Sequence, residues 1–343
     1  MRPIMLLLFV TCLFSCNNSK EPLIFSEIRV DDVYTDSVSI RAIEFLDDNT
    51  LAFAGSNGIY GTVDVLSGKV RTNVMQYDSL TPEFRAVAHT SSDFFMLSIA
   101  NPALLYKTGD EGRMNLVYKE EGETVFYDAM KFWNDKEGIA VGDTVGGCLS
   151  IIITRDGGKS WSKLSCDVLP ASVDEEGAFA ASNTNIEIVG DSTLLATTAG
   201  RIYFSGDKGV HWKVIETPMQ NSGPTRGIYS IDFYDAKTGF AIGGDYTKPE
   251  ENNKNKMFTN DGGYKWELTA DGAPPVYKSC VQYVPGSSAK GLVAVGFTGI
   301  SYSNDGGKSW RQLSDESFYT IRFLNDKVAY AAGKNRISKL VFN

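Results

Sequence analysis

Histidine is almost missing from this chain: two residues, His89 and His211, stand among 343. Acid–base relays through imidazole and His-rich metal centres therefore have little material. His211 falls inside a turn phrase and His89 at the end of an alternating strand, places that suit surface or packing roles. Other signatures are missing as well. There is no G-x-S-x-G elbow, no P-loop, no G-x-G-x-x-G after a strand, and no Cys/His set with zinc spacing. The usual hydrolase, nucleotide and zinc motifs are therefore absent, and no cofactor is expected. Positive charge is also short, with 33 Lys and Arg against 42 Asp and Glu and a net charge of −9. That sign is wrong for a phosphate-backbone binder, so nucleic acid is not an expected partner.

What is present is one eight-residue phrase written four times: TRDGGKSW from Thr154 to Trp161, SGDKGVHW from Ser205 to Trp212, TNDGGYKW from Thr259 to Trp266, and SNDGGKSW from Ser303 to Trp310. Each copy keeps an Asp (Asp156, Asp207, Asp261, Asp305) and closes on a Trp (Trp161, Trp212, Trp266, Trp310). Glycines supply the positive φ of a tight reversal, and a short Asp side chain accepts hydrogen bonds from turn amides. The phrase reads as a self-stapled β-hairpin whose Trp buries between neighbouring units. A calcium loop would need more oxygen ligands and a closing Glu, so these Asp residues are structural and no metal site is expected.

The phrases recur at a spacing in or slightly above the range of four-stranded propeller blades. Weaker copies extend the array upstream, at Thr108–Gly112 and Val63–Gly68. Alternating strands open successive units, among them Arg41–Phe45, Arg85–His89, Asp128–Phe132, Tyr229–Phe233, Ser279–Tyr283 and Tyr319–Phe323. With an irregular opening near Ala178 to Ile186, the count predicts an all-β, seven-bladed β-propeller spanning residues 23–343. The last unit has room for about three strands. An N-terminal strand, Leu23–Val30, is expected to pair onto it, close the ring and remove a sheet edge.

Residues 1–15 read as a signal segment: Arg2, a short apolar stretch from Ile4 to Phe14, then Leu13-Phe14-Ser15-Cys16. The stretch is too short to span a bilayer as a helix. The ending resembles the bacterial lipoprotein box, which makes Cys16 the lipidated residue and 16–22 a polar tether. The expected place is the bacterial cell envelope, anchored in the outer membrane and facing the periplasm, since no acidic cluster follows Cys16. Cys148 and Cys166 lie symmetrically about the turn at Gly157 and are candidates for a disulfide across adjacent strands, the alternative being two free thiols. Cys280 reads as core.

In a propeller the innermost strands line the central channel. The opening strands therefore bring Arg41, Arg85, Asp128, Tyr229, Ser279 and Tyr319 near the axis. Two guanidinium groups beside phenols suit an anionic group, because Arg offers a rigid fork to a carboxylate. The alternative is a set of ions that pair with one another in a polar channel.

The eight-residue phrase resembles the Asp-box or BNR repeat of sialidases, sortilin-type receptors and photosystem II stability/assembly factors. A closer resemblance, to the bacterial branch of the photosystem-assembly-factor-like proteins, rests on Phe126-Tyr127-Asp128-Ala129, Gly142-Asp143-Thr144, Glu176-Gly177-Ala178-Phe179-Ala180-Ala181-Ser182, Gly243-Gly244-Asp245-Tyr246 and Tyr277-Lys278-Ser279. It implies site roles for Arg41, Arg85, Asp128, Asp143, Glu176, Ser182, Asp245, Tyr246, Ser279 and Tyr319. The chain departs from the family's pattern at Thr144, Asn183 and Lys278. The implied function is binding of a protein segment or a glycan at a channel mouth, without turnover. The alternative is a sialidase-like glycoside hydrolase or lyase, with Tyr319 as nucleophile, Glu176 as its base and Asp128 as acid/base, its anion site drawn from Arg41, Arg85 and Lys278. The first-arginine signature of sialidases is absent, and a Lys lacks the bidentate fork.

Overall fold

The alternating residues 40–47 hydrogen-bond antiparallel to the small, apolar run Thr50–Gly55, with Ile43 opposite Phe53 and Phe45 opposite Leu51. Each opening strand around the molecule pairs in this way with an almost wholly buried second strand. The computed structural model describes residues 24–219 and 223–343. Its opening strands are Ile28–Asp47, Phe84–His89, Tyr127–Phe132, Ile186–Val189, Arg226–Phe233, Cys280–Tyr283 and Thr320–Phe323. They touch in succession and the last touches the first, so the ring is closed.

The expectation of seven separate blades is corrected. Hydrogen bonding gathers the strands into five sheets of four and one of six, so that, counted as sheets, the propeller has six blades. The reason is the 20-residue strand Ile28–Asp47. Its first half pairs with Val328–Phe342, Ile28 opposite Phe342 and Thr35 opposite Arg336, and its second half pairs with Thr50–Gly55. The closing unit and the first unit, counted apart in the sequence, are one hydrogen-bonded sheet. The closing strand begins at Ile28; before it, Phe25 packs against Tyr302 and Phe342, and the Ser26 amide donates to the Asn343 carbonyl. Cys16 and the signal and tether calls on residues 1–22 lie outside the described residues.

The four phrases share one geometry. The leading hydroxyl donates to the Asp carboxylate at 2.8 to 2.9 Å, and the same hydroxyl accepts from the amide of the second Gly. Each Asp also accepts the amide four residues on. The indoles of Trp212, Trp266 and Trp310 donate to the carbonyls of Gly209, Gly263 and Gly307, whereas the Trp161 Nε1 has no partner. Gly158, Gly209, Gly263 and Gly307 press on Phe95, Ile153, Leu194 and Phe240, each on the second or third strand of the preceding sheet, where a Cβ would overlap. The phrase thus both turns its hairpin and docks one sheet on the next.

Cys148 is joined to Cys166 by a disulfide, with Cα atoms 5.5 Å apart. Cys166 lies in the 3-10 turn Cys166–Val168 that follows the strand Ser162–Lys163, rather than on a strand facing Cys148. Cys280 is buried with its thiol free.

Candidate functional site

The irregular segment between Glu176 and Asn185 forms no strand and lies across the propeller axis. Ser182 Oγ donates to the Ser279 carbonyl at 2.7 Å, and Thr320 Oγ1 donates to the Ser182 carbonyl at 3.0 Å. Asn183 Nδ2 donates to the Val87 carbonyl at 2.7 Å while its Oδ1 accepts the Met130 amide at 3.0 Å. Thr184 Oγ1 donates to Ser230 Oγ at 2.8 Å. These partners sit on opening strands, or directly before one, on several sides of the ring, so the segment plugs the channel and separates its two mouths. Asn183 takes φ +59, a conformation that Asn tolerates better than most residues other than Gly.

The mouth at the far ends of the opening strands holds a cavity of about 180 Å³ lined by His89, Lys131, Asp232 and Arg322, among others. Its charges satisfy one another. Lys131 pairs with Glu187 at 2.5 Å and Arg322 with Glu44 at 3.2 Å. Asp232 accepts the Tyr283 amide at 2.6 Å. Burial, and then the neighbouring Glu187, push the Asp232 carboxyl up to about 7 against the pull of that amide, Lys131 and Arg322.

The other mouth is different. A cavity of about 250 Å³ is lined by Arg41, Arg85, Tyr246 and Tyr319 together with Phe179, Tyr229, Tyr277 and Phe297. Phe179 stacks on Tyr229 at 3.6 Å, Tyr277 meets Tyr229 edge-on at 4.9 Å, and Phe297 lies 4.9 Å from Tyr277. Tyr246 and Phe297 remain 49% and 41% exposed at the rim. The Arg41 guanidinium lies 4.0 Å over the Tyr319 ring, and its Nε is buried with no hydrogen-bond partner. Burial first, then the neighbouring Arg85, lower the Arg41 pKa. Arg85 is held by Glu83, Nη2 to Oε1 at 2.6 Å. Arg41 forms no ion pair among the described residues; the Glu83 carboxylate acts on it only from a distance and is hydrogen-bonded to Arg85, so two guanidinium groups share one carboxylate at this mouth.

Beside it opens a cavity of about 750 Å³ that shares Arg85, Phe179, Ala180 and Tyr246 with the first and reaches Asp128, Asp143 and Glu176. Glu176 is spent within the fold. Its side chain is 0% exposed and forms a short ion pair with Arg201, accepting also from Thr197 Oγ1 at 2.7 Å, the Tyr203 hydroxyl at 3.1 Å and the Val173 amide at 3.1 Å. No hydrogen bond joins it to Tyr319, and it does not line the Arg41 cavity. The nucleophile–base pair of the hydrolase alternative is therefore not assembled in this structure.

The remaining predicted residues are placed apart from the mouth's lining. Lys278 is fully buried, its Nζ donating to Thr298 Oγ1 and to the Thr298 and Gly299 carbonyls at 2.9 to 3.2 Å, and burial pushes it down to about 7. Ser279 Oγ donates to the Tyr319 carbonyl, and Ser182 belongs to the plug. Asp245 accepts the amide and hydroxyl of Thr247. Arg201, Phe179, Tyr277 and Phe297 were not predicted. Phe179 and Tyr277 stand inside motifs already noticed for their polar neighbours, while nothing local marks Arg201 or Phe297. Among the described residues no group of three or more His, Cys, Asp or Glu is placed to hold a metal ion.

A closed ring of antiparallel sheets with its candidate site at one axial mouth defines a β-propeller. No family model and no curated protein matches the chain in sequence. Many solved structures match in fold. They include YCF48 bound to D1 peptide, at 14% identity and a TM-score of 0.66 over 94% of this chain and 99% of that one. YCF48 from Cyanidioschyzon merolae follows at 14% identity and 0.58, over 92% and 98%. The WD40 repeats of RRP9 align at 9% identity and 0.65, over 94% and 100%. At such identities the similarity speaks for the fold alone.

Proposed function

We propose that this chain is a lipid-anchored cell-envelope propeller that binds a protein segment at the Arg41 mouth, a carboxylate of the segment seating on Arg41 and Arg85. The observation that carries the reading is the buried, unpaired Nε of Arg41 in an aromatic cavity. A cation without a counter-ion of its own is costly unless a guest supplies one. Flanking rings give a peptide apolar area at low entropic cost. The similar fold of YCF48, solved with a D1 peptide, supports a protein segment as the guest.

Fluorescence anisotropy with labelled peptide libraries tests this: acidic peptides should bind, and Arg41→Ala should weaken them by about 30-fold, as expected for truncating one partner of a buried charge pair. Equal binding by Arg41→Ala refutes it. A glycan is the second reading, favoured by the exposed faces of Tyr246 and Phe297, and a glycan array read with the same variant distinguishes it. For the anchor, Cys16→Ser should move the protein from the membrane to the soluble fraction; retention in the membrane counts against lipidation.

A further inference from the structure

We infer that the mouth is bipolar: Asp128 and Asp143, across Arg85 from the anion seat, form a seat for a guanidinium or ammonium group, so that the bound segment carries a basic residue close to its acidic one. This deepens the proposed segment binding and rests on it. The larger cavity is lined by the carboxyl residues Glu123, Asp128, Asp143 and Glu175, and by Glu176, which is already paired; among the described residues Arg85 is its one basic lining residue. Asp128 is among its lining residues. That side chain is fully buried, and neither carboxyl oxygen has a hydrogen-bond partner; the buried Thr144 Oγ1 beside the same cavity has none either.

Buried polar side chains are nearly always bonded, and an unsatisfied one costs about 1–3 kcal/mol. Arg85 makes no hydrogen bond to Asp128, because its guanidinium is turned to Glu83 at 2.6 to 2.8 Å. Asp143 is fixed by the Ala178 amide, which donates to its Oδ1 at 2.9 Å, and by Gly177, where a Cβ would overlap that carboxyl. Burial, then Asp143, hold the Asp128 pKa well above the ordinary carboxylate range, against the opposing pull of Arg85 and the Ala180 backbone amide. An arriving cation answers all of this at once. It supplies several donors to the unbonded oxygens and a positive charge that lets both carboxyls ionise side by side. Because the two cavities share Arg85, Phe179, Ala180 and Tyr246, one extended segment can reach both seats.

The test uses the full chain, purified in mild detergent, with four sets of labelled nonapeptides: acidic and basic residues both present, acidic only, basic only, and neither. The set with both should bind tightest. Asp128→Asn, which keeps the shape and the hydrogen-bonding capacity, should weaken that set by about 30-fold while the acidic-only set binds no more weakly than before; Asp143→Asn is the second variant should the first not fold. If acidic-only peptides bind as tightly as the mixed set, or if Asp128→Asn keeps full affinity for the mixed set, the cation seat is refuted and the segment reading stands. The second of those outcomes would mark Asp128 as a neutral hydrogen-bonding group. If no set binds, both fall.

Discussion

Arg201→Met is expected to destabilise the protein by about 3 kcal/mol. Arg201 and Glu176 are an almost completely enclosed ion pair, with side chains 11% and 0% exposed. Removing one partner of such a pair costs about 3–5 kcal/mol, because the other charge is left in a medium that cannot solvate it. The lower end applies here, since the Glu176 carboxylate would keep three donors: Thr197 Oγ1, the Tyr203 hydroxyl and the Val173 amide. Replacing both residues, as Arg201→Met with Glu176→Met, should recover most of the loss, because well-packed apolar pairs often match buried ion pairs. The assay is thermal denaturation followed by circular dichroism. At about 2 °C per kcal/mol for a chain above the usual domain size, the single variant should melt about 6 °C lower and the double variant close to the parent. A single variant that melts with the parent would refute the assignment of Glu176 to the fold and return it to the pool of available acids. The question bears on function, because Glu176 is the base that a sialidase-like mechanism requires.

Three further outcomes follow from the geometry. Gly307→Ala should cost about 2–4 kcal/mol, since it combines φ +85 with a Cβ overlapping the Phe240 ring, whereas Gly306→Ala, with its nearest neighbour at 3.6 Å, should cost only the roughly 1–2 kcal/mol of a left-handed backbone; equal melting temperatures would dismiss the docking role of the second Gly. Reducing the Cys148–Cys166 bridge, which closes a separation of 18 residues, should cost about 3 kcal/mol on chain-entropy grounds, measured as the difference between denaturant midpoints with and without reductant; no difference contradicts it. Asp232 by itself should contribute stability that falls as pH rises from about 4.5 towards 7. Asp232 has a folded pKa of about 7, above its unfolded value, so the folded state binds the extra proton in that window and its contribution is lost on the way up. Asp232→Asn should remove that contribution, read as the difference between urea titrations at pH 4.5 and 7, and a difference unchanged from the parent's would exclude Asp232 as its source.

The limits of reading the chain show at particular residues. The hairpin phrases were legible because each is closed by contacts inside eight residues, hydroxyl to Asp to amide, so Asp156, Asp207, Asp261 and Asp305 do in the fold what their spacing says. Local pattern also located six of the seven opening strands, through their β-rich runs of largely buried residues, and missed the fourth, which is Ile186–Val189 rather than the irregular segment before it. The blade count was not legible. Whether two successive units are two sheets or one depends on whether Ile28–Asp47 runs on without a break in its hydrogen bonding, and nothing in its composition records that.

The site divides along the same line. The sequence by itself put Arg41, Arg85 and Asp128 on opening strands and Tyr319 directly before one, because membership of the innermost strand sets distance from the channel and position along it sets the level along the axis. Only the tertiary structure decided that the segment after Glu176 plugs that channel, that Arg201 removes Glu176 from the site, and that Phe179, Tyr277 and Phe297 build the wall facing Arg41. Each depends on contacts between residues far apart in the chain, and charge pairing and ring stacking at such separations leave no periodicity for a linear pattern to carry.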